Sequence, residues 1–125
     1  MEKRIETGWL LDFYGPLLTG RQRELLRLYC EEDLSLAEIA GQEGVSRQAV
    51  HDAVRRGDAR LRAYEDQLGL LRRYRRLYGA LRQCGTALTE LDAAAGCEAF
   101  RALPQMAALR GTLARIAEEE GFDGL

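Results

Sequence analysis

The chain has 125 residues, a formal net charge of −2 and 46% hydrophobic residues. That length suits one compact domain, or one domain with a helical extension, and lets roughly two-thirds of the unfolded surface be buried without disulfides or metal. The net acidity excludes a protein that coats nucleic acid over its whole surface, so a contact of that kind needs a local basic patch.

Val and Ile together number six, while Leu, Ala, Arg and Glu dominate. That balance predicts an all-α fold, because β-branched residues favour strands and straight-chain residues favour helices. Arg supplies 17 of the 18 basic residues, a bias expected of a GC-rich genome. Cys30, Cys84 and Cys97 form no CxxC pair and are odd in number, which predicts reduced thiols in a cytoplasmic protein. The charged start, with Asp12 interrupting the apolar run behind it, is unlike a signal peptide, and no apolar stretch approaches transmembrane length.

The first predicted helix carries Ile5, Trp9, Leu10, Phe13 and Tyr14 on one face and is broken by Gly15-Pro16. Trp9 reads as core filling in a small domain rather than as a partner anchor. Thr19 opens the second helix, with Gln22 in the capping-box position. Leu25, Leu26, Leu28 and Tyr29 form its apolar side, and Arg21, Arg23 and Arg27 form a solvated face with Glu24 and Glu31. Glu31-Glu32-Asp33 makes an acidic turn that lacks the glycine-bearing loop of a calcium site.

Leu34 to Val50 then reads as two helices joined by a tight turn. Ser35 and Glu38 have capping-box spacing, and Leu36, Ile39 and Ala40 mark one apolar face. Gly44 stands where a left-handed residue is needed, and Ser46 can cap the next helix. This is the pattern of a helix-turn-helix, whose second helix usually enters a nucleic-acid groove. At 100° per residue, Arg47, Gln48, His51, Asp52 and Arg55 point to one side, and Val50, Val54, Gly57 and Leu61 point away from them. Side chains of the first set bond base edges or phosphates. Arg56 extends the basic run. From Ser46 to Arg62 five Arg face Asp52 and Asp58, a local surplus of three positive charges. Gly57 costs about 1 kcal/mol inside a helix relative to Ala and marks either a kink or a close helix crossing.

From Leu70 onward, Leu70, Tyr74, Leu77, Leu81, Cys84, Leu88 and Leu91 recur at alternating spacings of four and three, a coiled-coil-like seam. It pairs either with residues 96–120 of the same chain or with a second subunit. Arg72, Arg73, Arg75, Arg76 and Arg82 have no acidic residue among them and are interleaved with Tyr74 and Tyr78. They form either an RNA or polyanion patch or a solvated helix face. Phe100, Leu103, Met106, Leu109 or Arg110, Leu113 and Ile116 predict a last helix, with Pro104 as its start or kink and a frayed end at Gly121. The expected division is a helix-turn-helix domain over 1–66 and a C-terminal helical extension over 67–125.

Enzyme chemistry has little to build on. His51 is the only histidine, and the Asp52 beside it in sequence is not expected to face it. No zinc-ligand spacing, no phosphate-binding glycine loop and no cofactor motif occurs.

The pattern LTGRQRELLRLY, SLAEIAGQEGVSRQAV and a basic continuation, Thr19 to Arg62, resembles region 4 of bacterial sigma factors, without the segment that melts promoters. A longer stretch, Leu10 to Arg56, with DFYGPLLT, DLSLAEIA and VSRQAV, resembles the YlxM family of helix-turn-helix proteins. That resemblance implies a small cytosolic all-helical bacterial protein, encoded beside the signal recognition particle GTPase and acting in that pathway or in regulation. It places residues 47, 48, 51 and 55 on the nucleic-acid-facing side. The family commonly has Tyr where this chain has His51, so a stacking contact does not carry over. The implied partners are nucleic acid (DNA or the particle's RNA), the GTPase, and a second copy in a homodimer. The alternative is a protein-interaction factor that contacts the GTPase or RNA polymerase without specific DNA binding.

Overall fold

The computed structural model describes residues 3–94 and 96–120, and all regular structure among them is helical. The chain divides into two compact units, Met1–Leu71 and Arg72–Leu125.

The first unit opens with α1, Lys3–Tyr14, which ends in a 3-10 turn at Gly15–Leu17 where Pro16 removes an amide donor. Its buried face is Thr7, Leu10, Leu11 and Tyr14. The expected face is therefore rotated: Ile5 is exposed, and Trp9 and Phe13 flank the core half-buried. Helix α2, Gly20–Cys30, is capped by Thr19, whose hydroxyl accepts from the Gln22 amide at 3.2 Å. Gln22 Oε1 is enclosed without a partner, so only half of the expected capping box forms.

Helix α3, Leu36–Glu43, has the complete box. Ser35 Oγ accepts from Glu38 N at 3.1 Å, and Ser35 N donates to Glu38 Oε1 at 3.3 Å. Gly44 ends it at φ 67°, in the left-handed region that a side chain disfavours. Ser46 Oγ accepts from Ala49 N at 3.0 Å and starts α4, Arg47–Leu68. Helix α4 ends in turn at Gly69, another left-handed residue, at φ 62°.

Two apolar clusters hold these helices. Leu25, Leu28, Ile39, Ala40 and Val50 join α2, α3 and the first half of α4. Leu10, Leu11, Tyr14, Leu18, Leu26, Leu61 and Leu71 join α1, α2 and the second half of α4. Val54 packs against both. Between them α2 and α4 cross closely: a Cβ added at Gly57 would lie 2.6 Å from Leu26 Cδ1. Gly57 thus marks a close crossing in an unbroken helix.

Polar groups complete the second cluster. Tyr14 OH donates to Glu65 Oε1 at 2.7 Å and accepts from Leu70 N at 3.0 Å, while Leu71 N donates to the same Glu65 oxygen at 3.0 Å. A buried carboxylate and a phenol therefore satisfy the first amides of α5, Leu70–Ala93.

The second unit contains most of α5, the short α6, Glu98–Arg101, and α7, Pro104–Glu120. Pro104 starts α7, where its missing donor costs nothing. Asp92 ties the helices: Arg110 donates Nε and Nη2 to its carboxylate, and Arg101 donates to its main-chain oxygen. The covered stripe on α5 runs through Leu71, Tyr74, Tyr78, Leu81, Gly85, Leu88 and Asp92, with Leu91 beside it half-buried. The expected seam is thus shifted by one residue at three positions, and Leu70, Leu77 and Cys84 lie exposed. Two contacts explain the shift: Leu71 is drawn into the first unit's core, and Arg110 holds Asp92. Phe100, Leu103 and Leu109 are also exposed, and Met106, Arg110, Leu113 and Ile116 are half-buried. The expected frayed end at Gly121 lies outside the described residues.

Leu26 is fully buried, and a Cβ at residue 57 would lie 2.6 Å from its Cδ1 and 3.3 Å from its Cγ. Gly57→Ala is therefore expected to lower stability by about 1–2 kcal/mol net, an overpacking cost larger than the helix-propensity gain of about 1 kcal/mol. Urea unfolding measures it; an unchanged or raised midpoint would mean that Leu26 repacks freely.

Candidate nucleic-acid interface

Helix α4 is 22 residues long, and its two halves meet different surroundings. In the first half, Arg47, Gln48, His51, Arg55 and Arg56 are all exposed, while Val50 is fully buried beneath them. In the second half the same side of the helix lies under α1. Thr7 Oγ1 donates to Asp58 Oδ1 at 2.6 Å, and Arg62 donates to Asp58 Oδ2 at 3.1 Å and to Glu6 Oε1 at 2.7 Å. The open face therefore ends where α1 crosses, just past Arg55.

Several arginines of this unit are ion-paired, while Arg23 and Arg60, exposed on α2 and on the second half of α4, have no carboxylate partner among the described residues. Arg4 pairs with Asp33, Arg21 with Glu43, Arg27 with Glu24 and Glu32, and Arg62 with Glu6 and Asp58. The acidic turn Glu31-Glu32-Asp33 is thereby explained in part, since Glu32 and Asp33 answer arginines of α2 and α1. Arg47, Arg55 and Arg56 have no carboxylate partner among the described residues. Exposed cations without carboxylates leave their field uncancelled at the surface.

Two concavities shape this face. One, of about 400 Å³, is lined by Leu36, Arg47, Gln48 and His51. The other, of about 210 Å³, is bordered by His51 and Arg55 from α4 and by Lys3 and Arg4 from α1. His51 stands between them. Arg56 lines neither and lies on the helix flank. The sequence alone does not single out Lys3 and Arg4, because there α1 is recognised by its apolar face. The signal that could have found them is their position at the start of a helix that must fold back across α4.

Asp52 is tethered in this row. Gln48 Nε2 donates to Asp52 Oδ1 at 3.0 Å, and His51 Nδ1 lies 3.6 Å from the same oxygen. The expectation that His51 and Asp52 do not face each other is corrected: Gln48 turns the carboxylate toward the imidazole's side of the helix. The separation exceeds a hydrogen bond, and both side chains are about half exposed, at 49% and 47%. Among the described residues no group of His, Cys, Asp and Glu gathers to hold a metal ion, and no helix is long and apolar enough to cross a membrane.

The basic run Arg72, Arg73, Arg75 and Arg76 sits on α5, in the second unit. The Tyr74 and Tyr78 rings are 4.1 Å apart at 60°.

Comparison with known proteins agrees with the helix-turn-helix fold. The chain matches, over residues 1–93, the family described as "Putative helix-turn-helix protein, YlxM / p13 like" (UPF0122). The match continues past Tyr64 through α5, beyond the stretch from Leu10 to Arg56 that carried the resemblance in the sequence. The chain is 51% identical to a UPF0122 protein of Symbiobacterium thermophilum over 94 residues, covering 75% of this chain and 88% of that protein. It is 53% identical to one of Geobacillus kaustophilus over 76 residues, covering 61% and 69% respectively. With one of Clostridium botulinum it shares 49% identity over 73 residues, covering 58% and 67%.

Thiol reactivity gives a check on the packing of α1 against α2. Burial pushes the Cys30 thiol up to about 11, so at neutral pH it stays protonated and unreactive. In the folded protein Ellman's reagent is expected to modify exposed Cys84 rapidly and Cys30 only slowly. Equal rates would contradict the packing of α1 against α2 around Cys30.

Proposed function

The chain belongs to the UPF0122 family of YlxM/p13-like helix-turn-helix proteins, and from that premise we propose that it is a non-enzymatic, nucleic-acid-binding protein of regulatory or accessory type. The observation that carries this reading is the exposed first half of α4, where Arg47 and Arg55 stand without carboxylate partners on either side of His51. Arg47 and Arg55 neutralise phosphates, and Gln48 and His51 reach base edges or sugar. Asp52, tethered by Gln48, sets a boundary that repels backbone and favours a base donor. Arg56 adds a flanking phosphate contact. The ligand is a DNA duplex or a structured RNA such as that of the signal recognition particle, and the protein works in the cytoplasm. Arg72, Arg73, Arg75 and Arg76 form a second, separate polyanion patch on α5.

A second reading is protein contact, favoured by the large apolar side chains Leu77, Phe100, Leu103 and Leu109 that the second unit leaves exposed. Its partners are the signal recognition particle GTPase or a second copy of the chain. Under it, Leu77→Asp with Leu109→Asp abolishes retention of the GTPase or the self-association seen by light scattering. Retention unchanged by that pair would end it.

For the first reading the test is fluorescence anisotropy of the full chain with a labelled duplex and a labelled RNA hairpin across salt. Arg47→Ala with Arg55→Ala is expected to weaken binding at least tenfold and to lower the salt slope by about two, one for each phosphate no longer neutralised. Affinity and slope unchanged in the double variant would overturn it.

A further inference from the structure

The smaller concavity beside α4 has a composition that α4 alone does not explain. Its wall takes Lys3 and Arg4 from α1, Tyr29 from α2, and His51 and Arg55 from α4. Three cations thus reach one cleft of about 210 Å³ from helices some fifty residues apart in the chain. The carboxylate that also lines it, Asp58, is turned inward: its side chain is 11% exposed and bonded by Thr7 and Arg62.

Arg4 is held firmly. Its guanidinium lies 3.8 Å over the Tyr29 ring, Nη1 donates to Asp33 at 2.8 Å and Nη2 to the Leu34 main-chain oxygen at 3.2 Å. Its Nε is enclosed without an acceptor, so the fold fixes a cation here without using all of its donors. Lys3 is the opposite case. Its ammonium is 3.8 Å from Asp58 Oδ2, beyond hydrogen-bonding distance, and its side chain is 79% exposed. It is able to turn to a ligand at small cost. Arg55 at the other edge has no carboxylate partner among the described residues.

We propose that this cleft receives a phosphate group, with Lys3 and Arg55 at its mouth and Arg4 in its wall. The cleft is too small for a base pair or a protein segment; Asp33 answers Arg4 from outside it, and Lys3 and Arg55 face only Asp58, which is turned inward and engaged by Thr7 and Arg62, so the mouth suits a compact anion. His51 borders both this cleft and the concavity holding Arg47 and Gln48. A polynucleotide lying across α4 therefore has a phosphate close to the cleft. For that source of the phosphate the inference rests on the nucleic-acid reading of α4; the other source is a free phosphate compound.

The test compares Lys3→Ala, Lys3→Arg and Arg47→Ala in the full chain, the last lying outside the cleft, with thermal unfolding as a control of fold. With duplex and hairpin, Lys3→Ala is expected to weaken binding about three- to tenfold, equally for different sequences, and to lower the salt slope by about one, with Lys3→Arg restoring both. If Arg47→Ala weakens binding but Lys3→Ala changes neither affinity nor slope, the cleft is overturned and the reading of α4 stands. If the wild type binds neither polynucleotide, the reading of α4 fails, and titration with inorganic phosphate followed by the His51 imidazole signals in NMR decides the cleft. Saturable shifts that Lys3→Ala removes support it as a site for a free phosphate compound, and no shifts overturn it.

Discussion

At Gly57 the helices α2 and α4 leave no space for a methyl group, because Leu26 fills it. That close crossing lets one long helix serve two clusters. Its first half joins α3 through Val50 and Ile39, and its second half joins α1 through Leu61 and Leu10. A residue larger than glycine at this point must displace the Leu26 side chain or move α2 from α4, disturbing the cluster that Leu26 fills. The two-sided use of α4 also explains why the side bearing Arg47, His51 and Arg55 is open only in its first turns.

Buried polar groups set the limits of that open face. Asp58 and Glu65 lie at 8% and 9% exposure, yet each is matched by a hydroxyl and by further donors. Removing one donor from such a group leaves a buried charge underbonded, which costs far more than a surface pair is worth. These contacts specify where α1 crosses α4 and where α5 begins. They also engage Arg62 and Glu6, whereas Arg47, Arg55 and Arg56 have no carboxylate partner among the described residues.

Much of the helix-turn-helix was legible in the sequence because its signals are local. The Ser35 and Glu38 box, the left-handed Gly44 and the Ser46 cap each act within four residues, and all three are made. Gly57 was legible only as a choice between a kink and a crossing, since Leu26, which decides it, is thirty-one residues away. Where long-range contacts decide, the pattern misled. The apolar seam of α5 shifts by one residue because Leu71 and Asp92 answer to partners that spacing does not reveal. The face of α1 rotates to bury Thr7, a polar residue whose hydroxyl lies within hydrogen-bonding distance of Asp58 Oδ1 and of the Lys3 main-chain oxygen. Lys3 and Arg4 join the candidate site by the same kind of long-range packing, which no motif announces.

The exposed half of α4 and the start of α1 are proposed to form one phosphate-contacting surface centred on His51. Amide chemical-shift mapping of the full chain titrated with an RNA hairpin or a DNA duplex tests that claim most directly. Perturbations are expected at Arg47–Arg56 and at Lys3 and Arg4, with Leu61 and Glu65 little changed because they are buried against α1. Perturbations confined to Arg72–Arg82, or spread evenly over the chain, would contradict it.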